Sequence, residues 1–238
     1  VVLVTCFPVV GYCAPMEEAS MPSRDVVLLT AAESGHLSAR VDTMAAELEQ
    51  HVDLSALLHL AVDVPCHEPT EKQKDVPARC RIAVAMDQAF SFYYQDNLDK
   101  LVAAGAELRY FSPLNDRVLP EADGLYLGGG YPESHLSRLS QNETMRESIR
   151  RAIENGMPTV AECGGFLYLQ SALKDENGTL WPMVGALDGT GYGTDRLQRF
   201  GYLTLTGARD SLLLRAGETV PAHEFHYWDC TDCGTDLM

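Results

Sequence analysis

From position 81 onward the hydrophobic positions follow two periods in turn. Short apolar runs at 81–86, 107–111, 123–127 and 158–162 read as strands, and residues 95–104, 143–155 and 165–173 carry apolar residues at helical spacing. Gly105 and Gly156 stand just past two of these helices, where a C-capping glycine is common. Further strands are expected at 183–187, 201–206 and 219–225. Strands alternating with helices predict an α/β fold with a mostly parallel sheet and helices on both faces.

The first 64 residues have a different character. A strand is expected at Val1–Cys6, a second apolar run at Val26–Thr30, and helices at Leu37–His51 and Leu54–Ala61. Leu37, Val41, Met44 and Leu48 recur along one face of the first helix. Few strands and little core suggest the end of an α/β domain, residues 1–64. Pro65, Pro69 and Pro77 among charged residues mark 65–80 as a linker. Residues 81–238 form the second expected domain. Val1 is not an initiator methionine, so the chain is expected to begin inside a longer protein.

Composition narrows the partners. A net charge of −16 disfavours nucleic acid and anionic membranes. No apolar run approaches the roughly 18 residues of a membrane span. Seven cysteines without a framework pattern suggest a reducing, cytoplasmic setting. Oligomeric state stays open, a homodimer included.

Candidate chemistry concentrates at Thr159-Val160-Ala161-Glu162-Cys163-Gly164-Gly165-Phe166-Leu167. An apolar strand runs into a cysteine, two glycines follow, and a helix begins. That is the layout of a nucleophile elbow, in which a sharp turn presents one side chain at a sheet edge. A thiol at a helix N-terminus is expected to have a depressed pKa. The plain alternative is an inert cysteine in a tight turn. Gly128-Gly129-Gly130 follows the preceding strand and sets bare backbone at the same carboxyl edge. The N–H groups of Gly129 and Gly130, with that of Gly164, would suit an oxyanion. A simple turn would use the same glycines. No Gly-Lys-Ser/Thr follows, so this is not a Walker-type phosphate loop.

His223 and His226 form the only His-rich segment after the cysteine, and a thiol nucleophile commonly needs an imidazole base. Strand alternation lets only one of them face the site, and His226 is the candidate. Half-buried strand histidines held by hydrogen bonds are the alternative. His223, His226, Cys230 and Cys233 have zinc-type donors, but they fall in one short stretch rather than two separate pairs. Arg196, in a glycine-rich loop, would hold a substrate carboxylate bidentately, or else be a solvated surface arginine. Phe90-Ser91-Phe92-Tyr93-Tyr94 would wall a pocket or belong to the core.

Taken together, Phe92-Tyr93-Tyr94-Gln95-Asp96-Asn97, Phe111-Ser112-Pro113-Leu114, Asp123 to Glu133, Ala161-Glu162-Cys163-Gly164-Gly165, Arg196 to Tyr202 and His223 to Tyr227 resemble one family. They are similar to the glutaminase domain of cobyrinic acid a,c-diamide synthases, from about Arg81 to about Asp232. The resemblance implies a flavodoxin-like class I glutamine amidotransferase fold. It implies attack by Cys163 on the side-chain amide of glutamine, with Arg196 and Tyr131 at the substrate. The released ammonia would amidate the a and c carboxylates of cobyrinic acid in cobalamin biosynthesis. ATP and magnesium would activate those carboxylates in a synthetase half, and this chain alone is expected to bind neither. The family's catalytic histidine is expected beyond Met238, and Cys233 to Met238 depart from the family pattern. Low or absent activity of the chain alone follows as an expectation.

Overall fold

The computed structural model describes residues 8–20, 36–61 and 77–232. The chain divides into two compact units, Val1–Lys72 and Gln73–Met238. In the first, α1 (Leu37–His51) and α2 (Leu54–Leu60) match the expected helices. No residue of α1 is buried, so its apolar stripe is not a core face here. Asp53 caps α2 by accepting the Ala56 N–H at 2.9 Å. The segment at Val10–Gly11 meets the end of α1, where the Asp53 N–H donates to the Val10 carbonyl at 2.7 Å. The strands expected at Val1–Cys6 and Val26–Thr30 lie outside the described residues.

The second unit begins with β1 (Cys80–Ala85), α3 (Gln95–Ala103), β2 (Ala106–Phe111) and β3 (Gly124–Leu127). A 3-10 turn at Pro132–His135 leads into α4 (Leu136–Gln141), α5 (Glu143–Glu154) and β4 (Thr159–Ala161). The four strands form one all-parallel sheet in the order β2-β1-β3-β4. Ala83, Val84, Ala85, Leu125 and Leu127 are buried in it, which is why these strands read as continuous apolar runs. Met145 and Ile149 of α5, one turn apart, bury against the same core, and Glu147 pairs with Arg150 and Arg151 on the outside. The 3-10 turn and α4 were not foreseen. They bury only Pro132, Leu136 and Leu139, too short a stripe to stand out from a loop.

Beyond β4 the order differs from the expectation. Helix α6 (Gly164–Leu169) stops after six residues, and the chain continues as β5 (Gln170–Lys174) rather than as helix to 173. A turn held by Asp175 explains this. Its Oδ1 accepts the Asn177 and Thr179 N–H groups at 2.9 and 2.8 Å, and its Oδ2 accepts Trp181 Nε1–H at 2.9 Å. That turn folds β6 (Leu180–Pro182) back antiparallel on β5. The strand expected at 183–187 is instead a connection. Its N–H groups at Met183, Val184, Gly185 and Ala186 donate to carbonyls of Ser171, Tyr168, Gln170 and Leu169. The next strand, β7 (Leu187–Gly193), runs parallel to β5. The long strands β8 (Arg199–Thr206) and β9 (Thr219–His226) form a separate antiparallel ribbon, and β10 (Trp228–Cys230) returns to β7. The parallel sheet is therefore four strands wide, and later strands build a mixed four-stranded sheet, β10-β7-β5-β6, and the ribbon.

One ion pair ties the start of β1 to β3. Asp123 accepts the Arg81 guanidinium at 2.9 and 3.1 Å and the Arg81 N–H at 2.8 Å. These contacts lower the Asp123 pKa to about 2. A depressed carboxylate contributes stability above its unfolded-state pKa and loses it as pH falls through the folded value. Folding stability is thus expected to fall between pH about 4 and about 2, and Asp123→Asn should flatten part of that slope. Urea midpoints measured across that range check it.

Candidate active site

Cys163 sits between β4 and α6 with φ 50° and ψ −114°. Among the described residues only His36 shares a positive φ without being glycine. This backbone costs about 1–3 kcal/mol and persists only where surroundings enforce it. Three hydrogen bonds enforce it here. The Glu162 N–H donates to the Leu127 carbonyl at 2.9 Å, the Gly165 N–H to Glu162 at 2.8 Å, and the Leu167 N–H to Cys163 at 3.0 Å. A side chain held on such a strand-to-helix turn is the nucleophile-elbow geometry.

The two glycines after it are required by contact. A Cβ on Gly165 would lie 2.2 Å from the Leu127 carbonyl oxygen, and one on Gly164 would lie 2.7 Å from the Gly130 oxygen. Helix α6 therefore starts against bare backbone at the end of β3. The glycine loop after β3 lies beside the turn after β4, because β3 and β4 are parallel neighbours with Leu127 opposite Ala161. The Cβ direction of Gly129 points to within 3.5 Å of Cys163 Cβ. Gly129, Gly130, Gly164 and Cys163 thus meet at the carboxyl edge of the parallel sheet.

That loop is held from behind. The Gly129 carbonyl accepts the N–H groups of Ser91 and Phe92 at 3.1 and 3.0 Å. The Tyr93 hydroxyl donates to the Ala85 carbonyl and accepts the Gly128 N–H at 2.8 Å. Burial pushes the Tyr93 phenol well above its ordinary pKa, so it remains a hydroxyl able to do both. The aromatic cluster divides accordingly. Phe90 is core against Tyr168, Phe92 meets Tyr131 edge-on at 5.0 Å, Tyr93 braces the loop, and Tyr94 is exposed.

Asp87 was not foreseen. Its Oδ1 accepts the Ala89 N–H at 2.8 Å, and its Oδ2 accepts Ser112 Oγ–H and the Leu114 N–H at 2.7 and 2.9 Å. It thereby fixes the loop on which Gly130 rests. The available signal was a carboxylate just beyond a buried strand, where loop N–H groups gather.

The thiol's electrostatics depart from expectation. Cys163 is exposed at the surface, yet the protein packed around its sulfur raises the pKa, and the carboxylates of Glu133 and Glu162 add to the rise. The N–H groups of Gly164 and Gly130 pull the other way. The expected depression is reversed because protein packed around the sulfur keeps water from a thiolate, and because the nearby charges, Glu133 and Glu162, are negative. Glu162 itself accepts the Tyr126 hydroxyl at 2.7 Å.

The hydrogen bonds of His226 and Arg196 lie among the later strands. His226 Nδ1 lies 2.6 Å from the Trp228 carbonyl, and Nε2 lies 3.0 Å from Glu224 Oε1. Both ring nitrogens face oxygens, the hydrogen-bonded strand histidine that was the alternative to a base. Arg196 is exposed in the loop between β7 and β8, where its carbonyl accepts Thr194 Oγ1–H at 2.8 Å. Cys230 is half-buried, and Cys233 lies outside the described residues. Among the described residues no group of three or more metal-type side chains converges, and no helix is long and apolar enough to cross a membrane.

A cobyrinate a,c-diamide synthase from Caldanaerobacter subterraneus subsp. tengcongensis is 40% identical over 92% of this chain and 49% of its own length. Another from Salmonella typhimurium is 41% identical over 93% of this chain and 49% of its own length. The chain spans about half the length of these curated relatives. The structure of PurLQS from Thermotoga maritima aligns with 62% of this chain and 66% of its own, at 18% identity and a TM-score of 0.43. The profile of the CobB/CobQ-like glutamine amidotransferase domain matches residues 81–233. The chain belongs to the CobB/CobQ-like glutamine amidotransferase domain family.

Proposed function

We propose that this chain hydrolyses glutamine through Cys163 and that the ammonia serves amidation of the a and c carboxylates of cobyrinic acid. The observation that carries the reading is the strained backbone of Cys163, at φ 50°, with the glycine loop beside it. In this reading the Cys163 sulfur attacks the side-chain amide carbon of glutamine, and the carbonyl oxygen becomes an oxyanion. The N–H groups of Gly164 and of the Gly129–Gly130 loop stabilise it. The C–N bond then breaks, the amine leaves as ammonia after taking a proton, and water hydrolyses the thioester to glutamate. Tyr131, beside the loop, and Arg196 contribute to substrate binding, Arg196 as a bidentate partner for the α-carboxylate.

ATP and magnesium belong to the amidation step. By this reading they act in the part of the longer relatives that this chain does not span, and residues 1–64 are the end of that synthetase domain. His226 is left out of the base role because both its nitrogens are occupied. The raised pKa of the thiol further favours low turnover by this chain alone.

Ammonia release from L-glutamine, measured against asparagine and simple primary amides, tests the reading. A rate specific to glutamine is expected, and His226→Ala should change it less than about threefold, since the ring meets no reacting atom. Equal release from unrelated amides would point to another hydrolase, and loss of activity in His226→Ala would return the base to that residue.

A further inference from the structure

The glycine loop begins where β1 and β3 stop pairing. Val84 is the last residue of β1 in register with β3, opposite Tyr126. Beyond that pair a side chain bridges the two strands. Tyr93, half-buried in the loop between β1 and α3, sets its hydroxyl between two backbone groups: it donates to the Ala85 carbonyl and accepts the Gly128 N–H at 2.8 Å. Its ring fills the space that a side chain at 128 would need, since a Cβ on Gly128 would lie 2.4 Å from Tyr93 Cζ. Strand order gives this wedge a direction. β1 and β4 flank β3 on opposite sides, and Cys163 follows β4. A phenol lodged between β1 and the end of β3 therefore holds the loop toward Cys163. The next two residues meet the cysteine: the Cβ direction of Gly129 ends 3.5 Å from Cys163 Cβ, and the Gly130 N–H donates to the sulfur.

We propose that Tyr93 is a positioning residue for the oxyanion donors of the glycine loop, Gly129 and Gly130. The proposal rests on the reading of Cys163 as the nucleophile and adds the residue that sets those donors at their distance from it. Removing the hydroxyl would leave the Ala85 carbonyl and the Gly128 N–H facing each other without a partner, which is costly for backbone groups away from water. Closing on each other would pair them again, as one more rung of the parallel ladder. That closure draws Gly128 toward β1, and with it Gly129 and Gly130, away from the sulfur. Stabilisation of an oxyanion depends on donors held at the right distance, so the loss falls on steps that create one. The turn that carries the thiol has its own bonds, from the N–H groups of Glu162, Gly165 and Leu167, and keeps them.

The test compares two reactions of Cys163 on the intact chain, each followed by mass spectrometry of that residue. With 4-nitrophenyl butanoate the sulfur is acylated: the S–C bond forms through a tetrahedral oxyanion, and 4-nitrophenolate leaves without needing a proton. With iodoacetamide it is alkylated: the S–C bond forms as iodide leaves, and no oxyanion arises. Both reactions start from the thiolate, so the ratio of their rates reports the oxyanion donors alone. Tyr93→Phe should slow acylation about ten- to hundredfold and alkylation by less than about threefold, the scale of a group displaced by roughly 1 Å. Gly128→Ala, which presses on the same ring from the loop side, should lower the ratio as well. An unchanged ratio in either variant, with a urea transition showing it folded, would overturn the proposal. So would an equal fall in both rates, which marks a general structural role. A wild-type ratio no higher than that of free cysteine would mean that no oxyanion donors act at Cys163; the nucleophile reading itself then fails, and this proposal with it.

Discussion

Replacing Cys163 with alanine is expected to abolish glutamine hydrolysis, by on the order of 10⁴-fold or more, while leaving the fold intact. The proposed route forms a covalent bond to the sulfur, and no neighbouring group offers the same attack. Gly164 and the glycine loop would keep their N–H groups, so binding of glutamine should survive the substitution. The variant should also relieve nothing in the backbone, because φ 50° is no easier for alanine than for cysteine. Its stability should therefore match wild type. Ammonia release under saturating glutamine, with urea denaturation of the same sample, gives both readings. An alanine variant that still turned over glutamine at the wild-type rate would remove Cys163 from the mechanism.

A second large effect is expected at Gly165. Alanine there would set its Cβ 2.2 Å from the Leu127 carbonyl oxygen and 2.7 Å from the Leu127 carbonyl carbon. Both are backbone atoms of a central parallel strand and have no room to move. Either α6 must lift from β3 or the strand must shift, and each loses packing around Leu127, Leu167 and Tyr168, which are buried in the core. The expected cost is about 3 kcal/mol or more, at the upper end for added core volume. Gly156→Ala is the control. Its Cβ would meet nothing within 4 Å, so only its φ of +87° resists substitution, which costs about 1 kcal/mol. Chemical denaturation of the two variants should separate them clearly. Equal stability of both would mean that α6 does not rest on β3 as described. Because Gly165 follows the elbow directly, its variant should also lose reactivity at Cys163, whereas Gly156→Ala should keep it.

The sequence by itself determined the parallel sheet and the elbow. Runs such as Ala83–Ala85, buried throughout, and Leu125–Leu127, buried at alternate positions, are apolar enough to read as strands without coordinates. Likewise, two glycines after a strand-ending cysteine announce a turn too tight for side chains, and α1 was legible from its spacing alone. Only the tertiary structure decided the rest. Residues 165–173 contain enough apolar positions for one long helix, and the Asp175 turn, six residues past the helix end, converts the last four of them to strand. Local periodicity does not register hydrogen bonds supplied by a later hairpin. The thiol's raised pKa was hidden for a similar reason. Its sign depends on how closely protein atoms and the carboxylates of Glu133 and Glu162 gather around the sulfur. His226 illustrates the same limit, since its spacing allowed a base, but the oxygens facing its two nitrogens belong to Glu224 and Trp228. Pattern fixes which segments are apolar or sharply turned, because those properties are local. Which charges and hydrogen-bond partners meet is set by contacts between segments distant in the chain.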